Sequence, residues 1–301
     1  KMLSIYSLKD YQVTQLAATD YTRYATAEMD SSQGTDVVVL RFSTPGIGEA
    51  LMLSLQSDGE MTSASARMTD GVTAISRVRT GTLSDGAIGV YVEGTAKDGS
   101  LITDVFACQN DQIYNVVTTA AALSETIPAP TTARTLTIYS QDINDDGMLE
   151  VPFPVSKDDG NGGTFWLIEW YVYSGSGERT YVETTYHDTT DGWYYVIPRA
   201  WEDTVKIRRN DDVAGEHTIY FSDYDESTGE TEDFLAIYTL SGTNRTDRST
   251  LADRFILKES GDVIYAAELL GDAGIQGFSL GQQTVENNFN IIYSEWETGE
   301  S

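Results

Sequence analysis

An acidic turn leads into an apolar strand at residues 142–151, where the chain reads Asp142-Ile143-Asn144-Asp145-Asp146-Gly147-Met148-Leu149-Glu150-Val151. Oxygen-bearing side chains occupy the first, third, fifth and ninth places of this stretch, and a glycine turns it. A hard divalent cation needs several oxygen ligands close together, and this spacing supplies them from neighbouring residues. The stretch therefore predicts a calcium site with a structural role, in which the cation holds the turn and does not activate water.

The same stretch has a simpler interpretation as an Asx-rich turn. Asp and Asn side chains cap nearby backbone amides and tolerate left-handed conformations, so D-x-N-x-D-G segments also occur without a metal. The loop is not an EF-hand, because its twelfth place is Phe153 and not a bidentate Glu. Both interpretations stay open at the level of the sequence.

Glycine turns that enter apolar strands recur in the first half of the chain roughly every 50 to 60 residues, a period that fits one four-stranded blade of a β-propeller. The three turns are Gly34-Thr35-Asp36-Val37-Val38-Val39-Leu40, Asp85-Gly86-Ala87-Ile88-Gly89-Val90-Tyr91 and Asp146-Gly147-Met148-Leu149-Glu150-Val151. We therefore expect a mainly β fold with a partial β-propeller-like N-terminal half.

Short apolar runs separated by turn residues predict the strands of this half. Tight hairpin turns are expected at Asp58-Gly59, Asp98-Gly99 and Asn110-Asp111. The predicted strands are an opening hairpin over 3–18 and the runs 36–42, 50–55, 87–93, 101–106, 135–139, 164–173 and 180–186. The chain begins directly in an apolar run, and we expect it to be trimmed at its N-terminus.

The pattern changes near Asp188, which predicts one domain over residues 1–188 and a small α+β domain over residues 189–301. Strands are expected in this second part at 193–198, 201–207, 218–221, 234–240, 254–257 and 263–269. A C-terminal helix is predicted from Val285, Phe289, Ile292 and Trp296, which lie at helical spacing on one face. Ser279 and Gln282 form the S-x-x-Q pattern of a capping box before it.

The loop and its two siblings resemble the FG-GAP repeats of integrin-like β-propellers over residues 1–190. This resemblance implies calcium ligands at Asp142, Asn144, Asp146, the Met148 carbonyl and Glu150. At the second turn, the corresponding places are Gly81, Leu83 and Asp85, which cannot form a cage of oxygens. The first turn, around Glu28 and Asp30, is expected to be out of register, so both siblings are predicted to have kept the turn without the metal.

The whole layout is similar to extracytoplasmic lipoproteins of Gram-positive gut bacteria that join such a propeller to a small C-terminal module. The run from Asp191 to Pro198, with Trp201, resembles a PsbP/Mog1-like module. These resemblances imply a bacterial protein that is extracellular or attached to the cell surface, with a lipid anchor upstream of residue 1.

The charge of the chain excludes two classes of partner. The 47 acidic and 19 basic residues give a formal net charge of -28, which opposes binding to nucleic acid or to anionic membranes. No run reaches the ~20 apolar residues that a membrane-spanning helix needs. The single cysteine, Cys108, excludes an internal disulfide and lies in an apolar run, where we expect a small buried side chain.

Other candidate sites have structural interpretations that fit their residues better. Gly277-Phe278-Ser279-Leu280-Gly281 matches the nucleophile-elbow pattern, but both histidines precede the serine in the chain and capping explains Ser279 more simply. His187 beside Asp188 suits a general base or a metal ligand, yet a solvated turn is the expected place for it. The acidic run of Asp223, Asp225, Glu226, Glu230, Glu232 and Asp233 predicts a solvated hairpin loop.

Aromatic side chains that could stack on sugar rings or on a partner protein are more typical of a core when they alternate along strands. They are Trp166, Trp170, Tyr171, Tyr173, Trp193, Tyr194 and Trp201. We therefore expect a non-enzymatic recognition protein for a protein or glycan partner. The alternatives are a glycan-active hydrolase that uses a pair of carboxylates in the propeller, and a wall-attached spacer with neither ligand nor turnover.

Overall fold

The computed structural model describes residues 1–9, 11–30, 34–44, 47–122, 131–160, 162–225, 227–271 and 280–292. Within these residues the fold is mainly β, as the sequence predicts, and three short α-helices interrupt the strands. The strands are β1 (Met2–Lys9), β2 (Gln12–Asp20), β3 (Arg23–Ala27), β4 (Asp36–Thr44), β5 (Ile47–Leu55), β6 (Met61–Arg67), β7 (Val72–Thr82), β8 (Ile88–Ala96), β9 (Leu101–Gln109), β10 (Gln112–Asn115), β11 (Val151–Asp158), β12 (Thr164–Tyr173), β13 (Arg179–Asp188), β14 (Trp193–Ile197), β15 (Val205–Val213), β16 (Glu216–Asp225), β17 (Glu230–Leu240), β18 (Phe255–Ser260), β19 (Val263–Leu269) and β20 (Phe289–Ile291). The helices are α1 (Val116–Ala122), α2 (Arg245–Arg248) and α3 (Gln282–Asn288), with a 3₁₀ turn at Arg199–Trp201.

The strands form five antiparallel sheets, and no sheet closes on itself within the described part of the chain. Two of them are four-stranded meanders in chain order, β3-β4-β5-β6 and β7-β8-β9-β10. The other orders are β1-β2, β11-β12-β13-β14-β20 and β15-β16-β17-β19-β18. The described chain divides into two compact units, Lys1–Pro154 with Trp170–Val182, and Val155–Glu169 with the chain from Glu183 onward.

The first unit has two apolar clusters that meet opposite faces of β8. Val90 and Val92 pack into one cluster with Leu40, and Tyr91 packs into the other with Val105. Successive side chains of a strand point to opposite faces, so a strand buried on both faces is mostly apolar, and the one charged side chain of β8, Glu93, is paired with Arg134. Strand β8 is accordingly buried over almost its whole length.

The second unit has one large aromatic-rich core. Trp193 and Tyr195 of β14 pack in it with Phe221 of β16, and the ring centroids of Tyr195 and Phe221 lie 5.3 Å apart. Trp201 meets Phe234 edge-on at 4.8 Å. Each of these rings removes a large apolar surface from water, and aliphatic side chains such as Leu235 and Ile237 complete the core.

Most of the strands predicted from the sequence are present. The opening hairpin, the run 164–173 and the hairpin β18–β19 lie where they are predicted, and the three tight turns connect adjacent strands. Asn110 and Asp111 both have a positive φ, which is the conformation of a two-residue hairpin turn. The division into domains at residue 188 stays a prediction, since a compact unit is not shown to fold alone.

The strand predicted over 135–139 is wrong. These residues are irregular, and only Arg134 forms an isolated bridge, with Leu101. The Arg134 guanidinium is buried and its Nε atom donates a hydrogen bond to the Ile138 carbonyl at 2.5 Å, which wraps the segment around the charge. The buried Arg134 guanidinium thus forms hydrogen bonds with the carbonyls of Thr132 and Ile138, which in a strand would bind the amides of a neighbouring strand.

The predicted C-terminal helix is much shorter than its periodicity suggests. Helix α3 ends at Asn288, and Phe289 begins β20, which pairs Phe289 with Tyr195 and Ile291 with Trp193. The N-cap residue of α3 is Gly281, which makes no side-chain hydrogen bond. The prediction that Ser279 caps the helix together with Gln282 is therefore wrong. Ser279 and Trp296 lie outside the described residues.

The hairpin of β1 and β2 is a separate two-stranded sheet. Its exposed side chains are unusually apolar, and they are Met2, Tyr6, Leu8, Tyr11 and Val13. In contrast, the other two sheets within the first unit have four strands and buried faces.

Within the described ranges, no helix is both long enough and apolar enough to cross a membrane.

Candidate functional site

The loop predicted to bind calcium is closed at its base by a pair of backbone hydrogen bonds. Gln141 and Glu150 form an isolated antiparallel bridge, in which the Glu150 amide donates to the Gln141 carbonyl at 2.9 Å and the Gln141 amide donates back at 3.2 Å. Asp145 and Gly147 have positive φ angles of 59° and 87°. The chain can therefore reverse between these two ends, and it brings the first and the last predicted ligands to the same place.

Side-chain oxygens inside the loop accept hydrogen bonds from its own amides. The two oxygens of Asp142 accept from the Asp146 amide at 2.9 Å and the Gly147 amide at 2.8 Å. Asp146 accepts from the Met148 amide at 2.9 Å, and Asn144 accepts from the Asp146 amide at 3.2 Å. This is the Asx-turn pattern that the sequence offers as the simpler interpretation. Each carboxylate oxygen still has a free acceptor position, since it has two lone pairs.

Glu150 is the one predicted ligand that is completely buried. Its Oε2 atom accepts a hydrogen bond from the Ile143 amide at 2.9 Å, and its Oε1 atom is buried with no hydrogen-bond partner among the described residues. Burial raises the pKa of this carboxyl to about 7, and the negative charges of Asp146 and Asp142 add to the rise against the opposing Ile143 hydrogen bond. An orphaned, buried carboxylate oxygen is costly unless a cation or a proton satisfies it.

Neighbouring strands hold the loop in position. Leu149 packs against Gly81 of β7 so closely that a Cβ atom at Gly81 would lie 2.6 Å from the leucine side chain. The Tyr91 hydroxyl of β8 donates a hydrogen bond to the Leu149 carbonyl at 2.9 Å, and Met148 forms an isolated parallel β-bridge with Thr82 at the end of β7. Gly81, which the repeat pattern suggested as a degenerate ligand position, therefore serves to admit the loop.

The loop supplies the donor types that calcium prefers, without forming a ready-made cage. Its predicted ligands are three carboxylates, one amide oxygen and one backbone carbonyl, and all are hard oxygen donors. No cluster of three or more His, Cys, Asp or Glu side chains is arranged to hold a metal ion in the described part of the chain. Coordination would therefore require the side chains that now cap amides to rotate towards the buried carboxylate of Glu150.

The other degenerate turn uses its aspartate structurally. Asp85 accepts hydrogen bonds from the Ala87 amide at 3.2 Å and the Gly175 amide at 2.8 Å, one on each oxygen. Leu83 is buried in the core of the first unit. This turn therefore joins two chain segments and offers no set of oxygens to a cation.

His187 lies in strand β13, and its expected place in a solvated turn is wrong. Its ring stacks on Tyr194 with the centroids 5.0 Å apart, and its Nε2 atom is 2.9 Å from the Thr185 hydroxyl. Burial lowers the pKa of His187 to about 3, so the ring is neutral at physiological pH. Sequence spacing alone does not show whether a single histidine such as His187 lies in a strand or in a turn.

A pair of carboxylates that sequence reasoning missed lies at the end of β13, with Asp188, and in the turn that follows it, with Asp191. Arg209 binds both members, with its Nη1 atom 2.7 Å from Asp188 and 3.0 Å from Asp191. His217 lies 2.8 Å from Asp191 through Nδ1. Burial raises the pKa of Asp188, and the charge of Asp191 adds to this effect. The shared arginine makes this a structural ion-pair network, and no sequence signal links Arg209 to a turn about 20 residues before it.

The remaining sequence candidates lie in strands or outside the described residues. The acidic run lies at the β16–β17 hairpin, but its expected place in a solvated loop is wrong, because its described residues belong to the two paired strands and Asp233 forms an ion pair with Arg208. Glu226 lies outside the described residues. Trp170, Trp193 and Trp201 are buried, whereas Trp166 is partly exposed. Cys108 is half-buried against the core of the first unit. The central serine of the G-x-S-x-G segment, Ser279, lies outside the described residues.

No protein-family model matches this chain, and no curated protein or solved structure is significantly similar to it.

Proposed function

We propose that this chain is a non-enzymatic recognition protein, secreted or attached to the bacterial cell surface, whose first unit is stabilised by calcium at the loop 142–150. The observation that carries the proposal is the buried Oε1 atom of Glu150, which has no partner in the described structure and closes a loop of oxygen donors. A calcium ion would be held by Asp142, Asn144, Asp146, the Met148 carbonyl and Glu150. Bound there, it would neutralise the loop's charge and fix its turn.

The FG-GAP and β-propeller interpretation belongs to the same proposal. Two consecutive four-stranded meanders have the size and strand order of propeller blades, and the loop precedes the first strand of the next sheet. Loops at one end of such a scaffold would contact a protein or glycan partner. The lipid-anchored placement rests on the resemblance to extracytoplasmic lipoproteins, and the PsbP/Mog1-like module stays part of the hypothesis.

The first test is thermal unfolding of chelator-treated protein with and without added calcium. A ligand that binds only the folded state at 100 times its dissociation constant stabilises it by about 2.7 kcal/mol. For a chain of this size, we expect the midpoint to rise by several degrees. The variant Asp146→Ala should lose this rise.

The matched control is Asp98→Ala, which alters an exposed Asp-Gly turn in another hairpin. It should keep the full calcium response. An unchanged midpoint in the wild-type protein, or an equal rise in Asp146→Ala, would show that the loop 142–150 is an ordinary Asx-rich turn.

The glycan hydrolase stays the alternative, and a turnover test on mixed polysaccharides separates it from the recognition protein. The carboxylate pair Asp188 and Asp191 is bound by Arg209, so it does not offer the free acid and base that glycoside hydrolysis uses. Release of sugar would contradict the non-enzymatic proposal.

A further inference from the structure

The second unit has a cavity of about 400 Å³ on the sheet β15-β16-β17-β19-β18, at the side of its edge strand β15. Six of the residues that line it belong to strands β15, β16 and β17, and the seventh is Asp159, which follows β11. Small-molecule sites in proteins have volumes of about 300–1,000 Å³. The cavity is therefore large enough for a small ligand or for one unit of a polymer.

Strand pairing places the polar side chains of the cavity on one face of the sheet. Lys206 pairs with Ser222, and Ser222 pairs in turn with Asp233. Residues directly opposite each other on paired strands project to the same face. The other face carries Ile207 and Phe221, which pack in the aromatic-rich core of the unit. The cavity thus lies on the face turned away from this core.

A β-bulge directs Asp233 to this face. Phe221 pairs with Leu235, but the next residue of β16, Ser222, pairs with Asp233 and skips Phe234. Phe234 and Leu235 both pack in the core. In a regular strand, Asp233 would share the core face with Leu235, because residues two apart point the same way. Bulges often redirect a side chain next to a functional site, and this one supplies a carboxylate to the cavity.

Arg208 and Asp233 form a pair of opposite charges in the cavity. Nη2 of Arg208 donates a hydrogen bond to Oδ2 of Asp233, and the guanidinium lies over the Tyr220 ring, 3.9 Å from its centroid. Oδ1 of Asp233 accepts a hydrogen bond from the Ser222 hydroxyl at 2.6 Å. These contacts orient both charged groups. They leave further N–H donors on the arginine and further lone pairs on the carboxylate for a ligand.

Lys206 and Asp159 add a second cation and a second carboxylate to the lining. Nζ of Lys206 donates a hydrogen bond to the Asp158 carbonyl at 2.8 Å and lies 4.9 Å from the centroid of the Tyr224 ring. An ammonium group has three donors, so it can also bind a ligand. Lys206 and Arg208 are two residues apart on β15, which separates them by roughly 7 Å along the strand. The hydroxyls on the two sides of one pyranose ring can span such a distance.

Another arginine of the same unit shows how the cavity differs from an ordinary ion pair. The Arg254 guanidinium also lies over a tyrosine ring, 3.5 Å from the centroid of Tyr238, and it pairs with Glu216. Its side chain and that of Glu216 are only 11% and 10% exposed, however, whereas Arg208 and Asp233 are 39% and 31% exposed. The same arrangement is therefore closed to a ligand at Arg254 and open to one at Arg208.

We propose that this cavity binds a neutral sugar residue of a glycan. Its charges have both signs, so an ion would be attracted by one set and repelled by the other. A hydroxyl group both donates and accepts, so neighbouring hydroxyls of one ring can accept from the two cations and donate to the carboxylates. Hydrogen bonds to charged partners are stronger than those between neutral groups. The inference rests on the recognition role proposed above and names a glycan as the partner.

The test measures binding of neutral sugars to the full chain by saturation-transfer difference NMR. The probes are glucose, galactose, mannose and N-acetylglucosamine, and we expect at least one of them to bind. Arg208→Lys should weaken this binding by about tenfold or more, because a lysine cannot contact Asp233 and the sugar together. Lys206→Met should weaken it similarly, because it removes a charged donor. Absence of saturation transfer to all four sugars would overturn the proposal.

Lys258→Met is the matched control, since Lys258 is an exposed lysine of β18, the other edge strand of the same sheet. It should bind the sugar as the wild type does. Thermal unfolding checks that all three variants are folded, which we expect because Lys206 and Arg208 are partly exposed. Equal binding by the wild type and the three variants would place the sugar outside the cavity and overturn the proposal.

Charged probes test the assignment of a neutral ligand. The affinity for the neutral sugar should change by less than about twofold when salt is added, because screening acts on charged ligands. Tighter binding of glucuronic acid or of glycine than of every neutral sugar would overturn the assignment.

The calcium loop lies in the other unit, so the variant Asp146→Ala separates this inference from the proposed function. Asp146→Ala should bind the sugar as the wild type does. Sugar binding by a protein whose unfolding midpoint does not respond to calcium would support the cavity and contradict the calcium part of the proposed function. A calcium response without sugar binding would support the loop 142–150 and overturn the cavity.

Discussion

Glu183 shows at the scale of a single residue how burial alters protonation. It lies in β13, and its Oε1 atom is buried without a partner among the residues described. Burial raises the pKa of this carboxyl from 4.5 to about 7. The unfolded chain releases the proton near pH 4.5, whereas the folded chain retains it until about pH 7. The folded state thus binds more protons in this window, and its stability falls as the pH rises through it.

The variant Glu183→Gln should remove this loss of stability. The free energy of unfolding of the variant minus that of the wild type should be larger at pH 8 than at pH 5. Because Glu183 is only partly buried, we expect a discounted difference of about 1–2 kcal/mol. Urea denaturation at both pH values measures it, and the comparison cancels the titration of other carboxylates. A difference that does not change with pH would show that the carboxyl is solvated in the folded protein.

At the scale of structural elements, a buried ion pair fixes the irregular segment that leads into the loop 142–150. Arg134 lies 3.0 Å from Glu93 of β8, and both side chains are almost fully buried. The second oxygen of Glu93 accepts hydrogen bonds from the amide and hydroxyl of Ser140, each at 2.8 Å. Thr103 adds a further hydrogen bond to Glu93 at 2.8 Å. The carboxylate thus holds residues 134–140 against β8 and β9, just before the predicted ligands begin.

Loss of one partner should therefore be severe. Arg134→Met leaves the buried Glu93 charge uncompensated, and we expect a cost of about 3–5 kcal/mol in the free energy of unfolding. The double variant Glu93→Leu with Arg134→Met should cost less than the sum of the two single variants, because it leaves neither charge buried alone. Chemical denaturation of the four proteins in this cycle measures the difference. Additive effects would mean that the two charges do not depend on each other.

For the whole molecule, the sequence predicts the β content and most strand positions, but less of the site. Apolar runs between Asp-Gly or Asn-Asp turns specify hairpins locally, which is why β1–β2 and β18–β19 lie where they are expected. The helical spacing of Val285 and Phe289 is misleading, because Phe289 reaches the same core from a strand paired with β14. Local periodicity cannot report a pairing partner that lies almost a hundred residues away.

The candidate site is predictable in its ligand types and not in its geometry. Spacing alone selects Asp142, Asn144, Asp146 and Glu150, but it cannot tell that Glu150 is buried while Asp146 is exposed. That difference depends on packing of Leu149 against Gly81, a contact between distant parts of the chain.

The separate two-stranded sheet of β1 and β2 has a consequence for digestion by proteases. A two-stranded sheet is marginal by itself, and its apolar side chains gain little when they remain in water, so this ribbon should open far more often than the four-stranded sheets. Trypsin should cleave after Lys9 at the hairpin tip before it cleaves at the arginines of β7. Timed digestion followed by mass spectrometry tests this order. Early cleavage in β7 would mean that the ribbon is protected in solution. Early cleavage after Lys9 would show that the ribbon opens while the remaining sheets stay folded, and that it is the least stable part of the molecule.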